Sequence, residues 1–322
     1  TEVRRPDRRT VLLTTGRAAM GTLVSVSALG PGRDRLEDAV GRAFQEMDRL
    51  IAVFSRFAAD SALTVLNDAG RLSGPPRELA FVLERALGYH ETTGGAFDVT
   101  VAPLVDLFRN RLRDVRPAPP AEAEIRAARA LVGVGRVRIS RREIRFQRSG
   151  MAITLDGIAK GYIVDAMATV LARAGVRDFL INAGGDIRTA GRGAGGRPWT
   201  VGVRDPDGSG ALPDVLHVTD AAVATSGGYE IWFDPERRFH HIVDAGTGRS
   251  PRHNAAASVL APTAMAADAL ATAVFVLPPA RGLALVDSLA GCACLIIGAD
   301  GRQWRSAGWR SAPPLPTPTA ME

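Results

Sequence analysis

The stretch Leu155-Asp156-Gly157-Ile158-Ala159-Lys160-Gly161-Tyr162 carries the most chemistry in the chain. Residues 151–155, Met-Ala-Ile-Thr-Leu, read as a short apolar strand. Behind Asp156-Gly157, residues Ile158, Tyr162, Ile163, Ala166, Val170 and Leu171 recur at helical spacing. A strand that turns directly into a helix points free N–H groups and a positive dipole end at whatever lies above. Lys160 falls in that first turn, where the dipole opposes a cation, so it should be uncompensated in the free protein until an anion arrives. It is the only lysine among 40 basic residues. Either chance placed it there, or a compact ammonium is wanted beside a phosphate where a planar fork is not.

Asp268 and Thr272 stand at i and i+4, on one helix face. Their neighbours, Ala-Asp-Ala-Leu-Ala-Thr-Ala, are small or apolar, so the helix should be packed. A carboxylate and a hydroxyl there are hard oxygen donors of the kind Mg²⁺ prefers. The plainer alternative is an Asp held by an arginine and a Thr bonded back to its own turn. In His240-His241-Ile242-Val243-Asp244, adjacent histidines on a strand face opposite ways, so at most one enters a site. Zinc spacing is absent and no cysteine lies nearby. One histidine then orients substrate or moves a proton, or it is a surface residue. Glycine-rich turns around Gly94, Gly157, Gly184 and Gly227 lie at strand ends. Each alone is an ordinary tight turn, and none has G-x-G-x-x-G spacing. Together they suggest backbone closing on an extended, phosphate-bearing ligand.

The 322 residues must supply the elements that hold these groups. A hydrophobic content of 46% and a charged content of 23% suit a globular enzyme. The net charge of +6 comes from scattered arginines, which read as a solvated surface and not as a nucleic-acid face; an anionic small molecule is the better-supported partner. No run is long and apolar enough to span a membrane. Arg8-Arg9 ahead of Thr10-Val11-Leu12-Leu13 echoes a twin-arginine signal, but the apolar run has strand length and no small-residue cleavage site follows. It reads as the first strand, and the chain as numbered reads as cytoplasmic, with export after loss of a preceding signal as the alternative. Cys292 and Cys294 alternate on an apolar strand and read as free thiols.

In order, the pattern predicts a strand over 18–29 that includes Met20-Gly21-Thr22, an amphipathic helix over 34–57, a short helix capped at Asp60-Ser61 and ending near 66–67, and a helix opened by Pro75-Pro76 and running to 92. A loop over 94–100 enters an apolar turn at Pro103-Leu104, and 111–121 reads as a surface excursion. A helix over 122–131 and a hairpin across 140–142 follow. Strands are expected at 179–181, 199–204, 215–219, 222–225, 239–243 and 292–297, with helices at 264–276 and 281–289. The Pro-rich tail 313–322 reads as disordered. Strands mostly follow strands, which argues for an α+β fold with mixed, largely antiparallel sheets and flanking helices. Residues 1–16 form an N-terminal segment and 17–312 the main domain.

Seven motifs, in order, closely resemble those of the FAD:protein FMN transferases (ApbE-type flavin transferases). They are Ala19-Met20-Gly21-Thr22, Gly95-Ala96-Phe97-Asp98-Val99-Thr100, Gly157-Ile158-Ala159-Lys160-Gly161-Tyr162, Asn182-Ala183-Gly184-Gly185-Asp186-Ile187, Ala224-Thr225-Ser226-Gly227, His241-Ile242-Val243-Asp244 with Thr247-Gly248, and Ala267-Asp268-Ala269-Leu270-Ala271-Thr272-Ala273. The resemblance runs from about 17 to 297. It implies a two-lobed single domain with a flavin-binding cleft, bound Mg²⁺, and transfer of FMN from FAD, as substrate, to a Thr or Ser hydroxyl of an acceptor redox protein, releasing AMP. Carried over by position, Met20, Ala96, Phe97, Asp98, Lys160, Gly185, Ser226 and Ile242 would line the FAD site. Asp268, Thr272 and the carbonyl of Ala159 would hold the metal. His241 is the candidate proton acceptor, and Asp244 could orient it or serve instead. One motif departs: the family usually reads Asp-Leu-Gly-Gly where this chain has Thr154-Leu155-Asp156-Gly157, so its carboxylate stands two places later. Two other activities use the same residues: Mg²⁺-dependent FAD pyrophosphatase, with water as the acceptor, and flavin binding without turnover, which needs no metal pair.

Overall fold

Leu36, Val40, Phe44, Met47, Leu50 and Phe54 recur every three or four residues and form the buried face of α1 (Arg33–Phe54). The computed structural model describes residues 1–6, 10–114, 118–229, 231–234, 236 and 238–312. Ahead of α1 come β1 (Glu2–Arg4), β2 (Val11–Ala19) and β3 (Thr22–Gly30). After it come α2 (Ala62–Ala69), β4 (Arg71–Ser73), α3 (Arg77–Thr92), α4 (Ala102–Arg113), α5 (Glu122–Arg129), β5 (Val137–Ile139) and β6 (Glu143–Phe146). The second half holds α6 (Ala159–Arg173), β7 (Asp178–Ala183), β8 (Asp186–Ala190), β9 (Trp199–Val203), β10 (Asp214–Val218) and β11 (Ala222–Gly227). It ends with β12 (Asn254–Ala261), α7 (Ala264–Val276), α8 (Pro279–Asp287), β13 (Ala293–Gly298) and β14 (Gln303–Arg305). The tail expected to be disordered, 313–322, lies outside the described residues, as do Arg8 and Arg9.

Nine strands build one antiparallel sheet in the order β1-β2-β3-β7-β8-β11-β12-β13-β14. The class is α+β, as the pattern of elements implies. Alternation along the strands separates two cores. Ala222, Ala224, Cys294 and Ile296 join the core under α1, α6 and α7, while Val223, Leu295 and Ile297 join the core covered by the β9–β10 hairpin. A third apolar cluster ties α4 and α5 to Phe233, Phe239 and Val243. Cys292 and Cys294 are free, and burial pushes the Cys294 thiol up to about 12.

Several local expectations are corrected. Met20 and Gly21 do not continue a strand. They are the two-residue turn between β2 and β3, with φ of 53° and 72°, the left-handed pair that a tight hairpin requires. Residues 102–113 form a helix, since Pro103 sits in the first turn, where its missing N–H costs nothing. Residues 239–243 form no strand: only isolated bridges, Trp232 to His240 and Asp244 to Arg249, occur there. The sequence pattern hides β12 because both its faces are covered; Asn-Ala-Ala-Ala-Ser-Val-Leu-Ala neither alternates nor is rich in branched residues.

Residues 151–155 are buried, except for the half-buried Ala152, but join no sheet. Asn67 stands in for the neighbouring strand: its Nδ2 donates to the Ile153 carbonyl at 2.9 Å and its Oδ1 accepts from the Ile153 amide at 2.8 Å. The Thr154 amide donates to the Val99 carbonyl at 2.8 Å. One side chain thus anchors the segment that leads into α6.

The helices α6 and α7 are clasped where they meet. A Cβ on Gly161 would stand 2.3 Å from the Ala264 carbonyl oxygen, so only glycine allows this approach. Asp165 of α6 accepts from the amides of Ala264 and Met265, each at 2.9 Å, and Asp268 of α7 accepts from the Gly161 amide at 3.0 Å.

Replacing Asn67 tests the anchoring of 151–155. Asn67→Ala removes both partners of Ile153 and should destabilise the protein by about 1–3 kcal/mol in urea unfolding, the cost of stranded buried backbone groups. An unchanged midpoint would mean that packing alone holds the segment.

Candidate active site

The clasp places Lys160, Asp268 and Thr272 along one wall of a cleft. Ala96, Phe97 and Asp98 form a second wall, and Ser226, His241 and Ile242 complete it, with about 710 Å³ of space including the mouth. Nine of the thirteen residues singled out from the sequence therefore converge. Met20 and Gly185 instead occupy neighbouring hairpin tips at one end of the sheet, where β3 pairs with β7. A Cβ on Gly184 would meet Thr22 Oγ1 at 2.4 Å, so these two tips touch. Ala159 opens α6 and is buried.

Asp244 stands apart. Its Oδ1 accepts from the Gly246 amide at 2.8 Å and its carbonyl from the Gly248 amide at 2.7 Å, so it organises a turn. It lines a neighbouring hollow together with His90, Asp98 and Arg281, and no hydrogen bond joins it to His241 among the described residues. Ala96 and Asp98 border both spaces.

Asp98 is held on one side by Thr100, whose amide donates to its Oδ1 at 2.7 Å and whose hydroxyl donates at 2.5 Å. On the other side His90 Nδ1 lies 3.4 Å from its Oδ2. Burial raises its carboxyl above the usual range, with Thr100 and His90 pulling it back. Thr272 Oγ1 lies 3.2 Å from Ser226 Oγ. A Cβ on Gly157 would come within 2.7 Å of Thr272 Oγ1, so glycine at 157 keeps the space over the Asp268–Thr272 pair open.

The two histidines differ as their opposite directions require. His240 Nε2 lies 3.0 Å from the Pro251 carbonyl and its Nδ1 accepts from the Ile242 amide at 3.3 Å, which puts its proton on Nε2. Burial lowers it to about 4, so it is a neutral core residue. His241 opens into the cleft, with its Nδ1 buried and without a hydrogen-bond partner. Burial lowers its value too, opposed by the charge of Asp156. At neutral pH it can accept a proton.

Lys160 is not uncompensated. Its Nζ lies 3.1 Å from Asp186 Oδ2, an ion pair without a well-aligned hydrogen bond at that oxygen. Asp186 follows the Gly184-Gly185 turn, paired with Ala183. The anion that offsets the dipole cost thus comes from the chain itself. Asp186 and Asp156 both line the cleft, and neither is among the site residues expected from the sequence. The hairpin signal Ala-Gly-Gly-Asp could have located Asp186, since it fixes that residue at a strand start. Beside Asp156, Arg56 Nη1 lies 3.8 Å from Asp156 Oδ2, while Nη2 bonds Asp106. Among the described residues no three His, Cys, Asp or Glu side chains converge as a metal cluster.

Burial raises the Asp186 carboxyl, and Lys160 opposes the shift. Lys160→Met should therefore destabilise the free protein by about 3–5 kcal/mol at pH 7, because a buried carboxylate loses its cation. Its folded-state value would rise further above the unfolded value near about 4, so the deficit should be full at neutral pH and shrink as pH falls between the two. Urea unfolding at pH 7 and pH 5 checks this, and adding Asp186→Asn should restore most of the loss. Equal stability of Lys160→Met and wild type at pH 7 would remove the pair's structural role.

The ApbE family model matches residues 20–296. An FAD:protein FMN transferase of Treponema pallidum is 36% identical over 295 residues, covering 84% of this chain and 80% of that protein. Among solved structures, the flavin transferase ApbE from Vibrio cholerae superposes with a TM-score of 0.78 at 27% identity, covering 92% of this chain and 97% of its own. The ApbE protein from Thermotoga maritima does so at 0.82 and 29%, with the same coverage. The matched span takes in the sheet from β3 through β12, both clasped helices and every residue lining the cleft: the chain belongs to the ApbE family.

Proposed function

We propose that the protein transfers the FMN half of FAD to a Thr or Ser hydroxyl of an acceptor redox protein and releases AMP. The observation that carries this reading is the meeting of a neutral histidine, a lysine at a helix N-terminus and an Asp–Thr oxygen pair on one cleft. The second hollow, across Ala96 and Asp98, leaves room for a ligand longer than either space alone.

The oxygen donors suit Mg²⁺. Asp268 and Thr272 supply a carboxylate and a hydroxyl, the Ala159 carbonyl lies at the start of the clasped helix, and Gly157 keeps the approach clear. Mg²⁺ takes one or two protein carboxylates and fills its remaining positions with water and substrate phosphate. When bound it would neutralise charge on the pyrophosphate. Lys160 stands on the same side of the cleft, held there by Asp186, where a ligand phosphate would share its ammonium. The acceptor oxygen attacks the FMN phosphorus. A new O–P bond forms as the bond to the bridging oxygen breaks, AMP leaves, and the hydroxyl proton passes to His241. Phe97 and Ile242, both buried, supply apolar surface to the cleft lining.

Incubation with FAD, Mg²⁺ and a candidate acceptor should yield AMP and an FMN adduct on a Ser or Thr, read by mass spectrometry. Free FMN without an adduct would identify a pyrophosphatase, and neither product would reduce the protein to a flavin binder. Asp268→Ala should abolish AMP release and weaken Mg²⁺ binding, and unchanged turnover at limiting Mg²⁺ would refute the metal assignment. His241→Ala should slow transfer by about 10²–10⁴ while FAD affinity changes little. A defect confined to FAD binding would show that His241 only contacts the ligand.

A further inference from the structure

His241 is the one cleft histidine, and proton acceptance by a largely buried ring needs a nearby anion. Asp244 serves elsewhere, in its own turn. Asp186 is committed to Lys160 at 3.1 Å. Asp268 is committed to the Gly161 amide at 3.0 Å. Asp98 is held by Thr100 and His90. Asp156 remains, on the same cleft, its side chain about half exposed at 49% and its Oδ2 beside the Arg56 guanidinium.

Arg56 is built to hold it. Its side chain is only 9% exposed, and its Nη1, 3.8 Å from Asp156, is buried without a hydrogen-bond partner. Its Nη2 and Arg109 Nη1 both reach Asp106, the latter at 3.1 Å. A guanidinium anchored on Asp106 thus presents its other nitrogen to Asp156. The Asp156 amide in turn donates to Thr154 Oγ1 at 3.3 Å.

We propose that Asp156, placed by Arg56, is the positioning carboxylate that stabilises the positive charge on His241 when that ring accepts the acceptor hydroxyl's proton. This deepens the transferase reading and rests on it for the catalytic step, in which the proton moves from the attacking oxygen to His241 and no other bond changes at the pair. The charges facing His241 agree with it. Asp156 favours the imidazolium, while Lys160 and Arg109 oppose it and His240 stays neutral. It also gives a use to the displaced motif: the carboxylate two places later, in the turn, stands on the cleft.

The test separates this inference from the function. In the free protein, without FAD or metal, the His241 ring proton is followed by NMR across pH, assigned by its loss in His241→Gln. Asp156→Asn should lower the midpoint by roughly half a pH unit, a half-exposed carboxylate being partly screened, and Asp156→Glu should return it toward wild type. With FAD and Mg²⁺, Asp156→Asn should reduce kcat for AMP release roughly tenfold and leave KM for FAD within about twofold. A midpoint unmoved in Asp156→Asn overturns the proposal, as does a variant whose only defect is a raised KM. Absence of AMP release by the wild type would sink the transferase reading while leaving the titration result to stand on its own.

Discussion

Two carboxylates exchanged between α6 and α7 hold the molecule's working parts in register. Each helix lends an aspartate to the first turn of the other: Asp165 takes the amides of Ala264 and Met265, and Asp268 takes that of Gly161. Helix N-termini carry unsatisfied donors and partial positive charge, so each contact satisfies an amide and favours a negative side chain. Gly161 makes the exchange possible because any side chain there would collide with the Ala264 carbonyl. Lys160 and Thr272 lie on these same two helices, so the clasp that fixes the packing also fixes the distance between the cation and the oxygen pair. A carboxylate that caps one helix and faces the cleft cannot be treated as purely structural or purely functional.

Charge around the cleft follows from burial more than from composition. The chain carries a net +6, yet the groups that matter are neutralised locally: Lys160 by Asp186, Arg56 by Asp106 and Asp156. Adjacent histidines illustrate the same rule. His240 has both ring nitrogens engaged and is locked as a neutral core residue, whereas His241 has one nitrogen stranded and opens into the cleft. One residue of offset separates a packing histidine from a chemical one.

The periodic helices were legible in the sequence because their signals are local. The apolar stripe of α1, the Ser61 cap and the Pro-opened α3 all needed no knowledge of neighbours. What failed depended on partners far along the chain. Residues 151–155 have strand-like composition, but the site where a strand would pair is filled by an asparagine side chain. The alanine-rich β12 is a central strand only because helices and a hairpin cover both its faces. For the site, motif order identified nine residues that converge, but it left out Asp186 and Asp156, whose roles come from a hairpin's return and from Arg56, a hundred residues away.

The sheet order also sets a timetable. β3 pairs with β2 on one side, but its other edge waits for β7, with Leu29 opposite Asp178, about 150 residues later. At roughly 5–20 residues per second on the ribosome, the open edge of the first hairpin stays without its permanent neighbour for about 8–30 s. Its residues Val24, Val26 and Ala28 are fully buried in the finished sheet, so this nascent edge is apolar as well as unpaired. Such an edge is a template for wrong pairing. The amphipathic α1, made next, can cover the apolar face of that hairpin within microseconds of emerging, while the edge itself waits for β7. The helix that roofs the mature core thus covers the same apolar face that the first hairpin would otherwise expose.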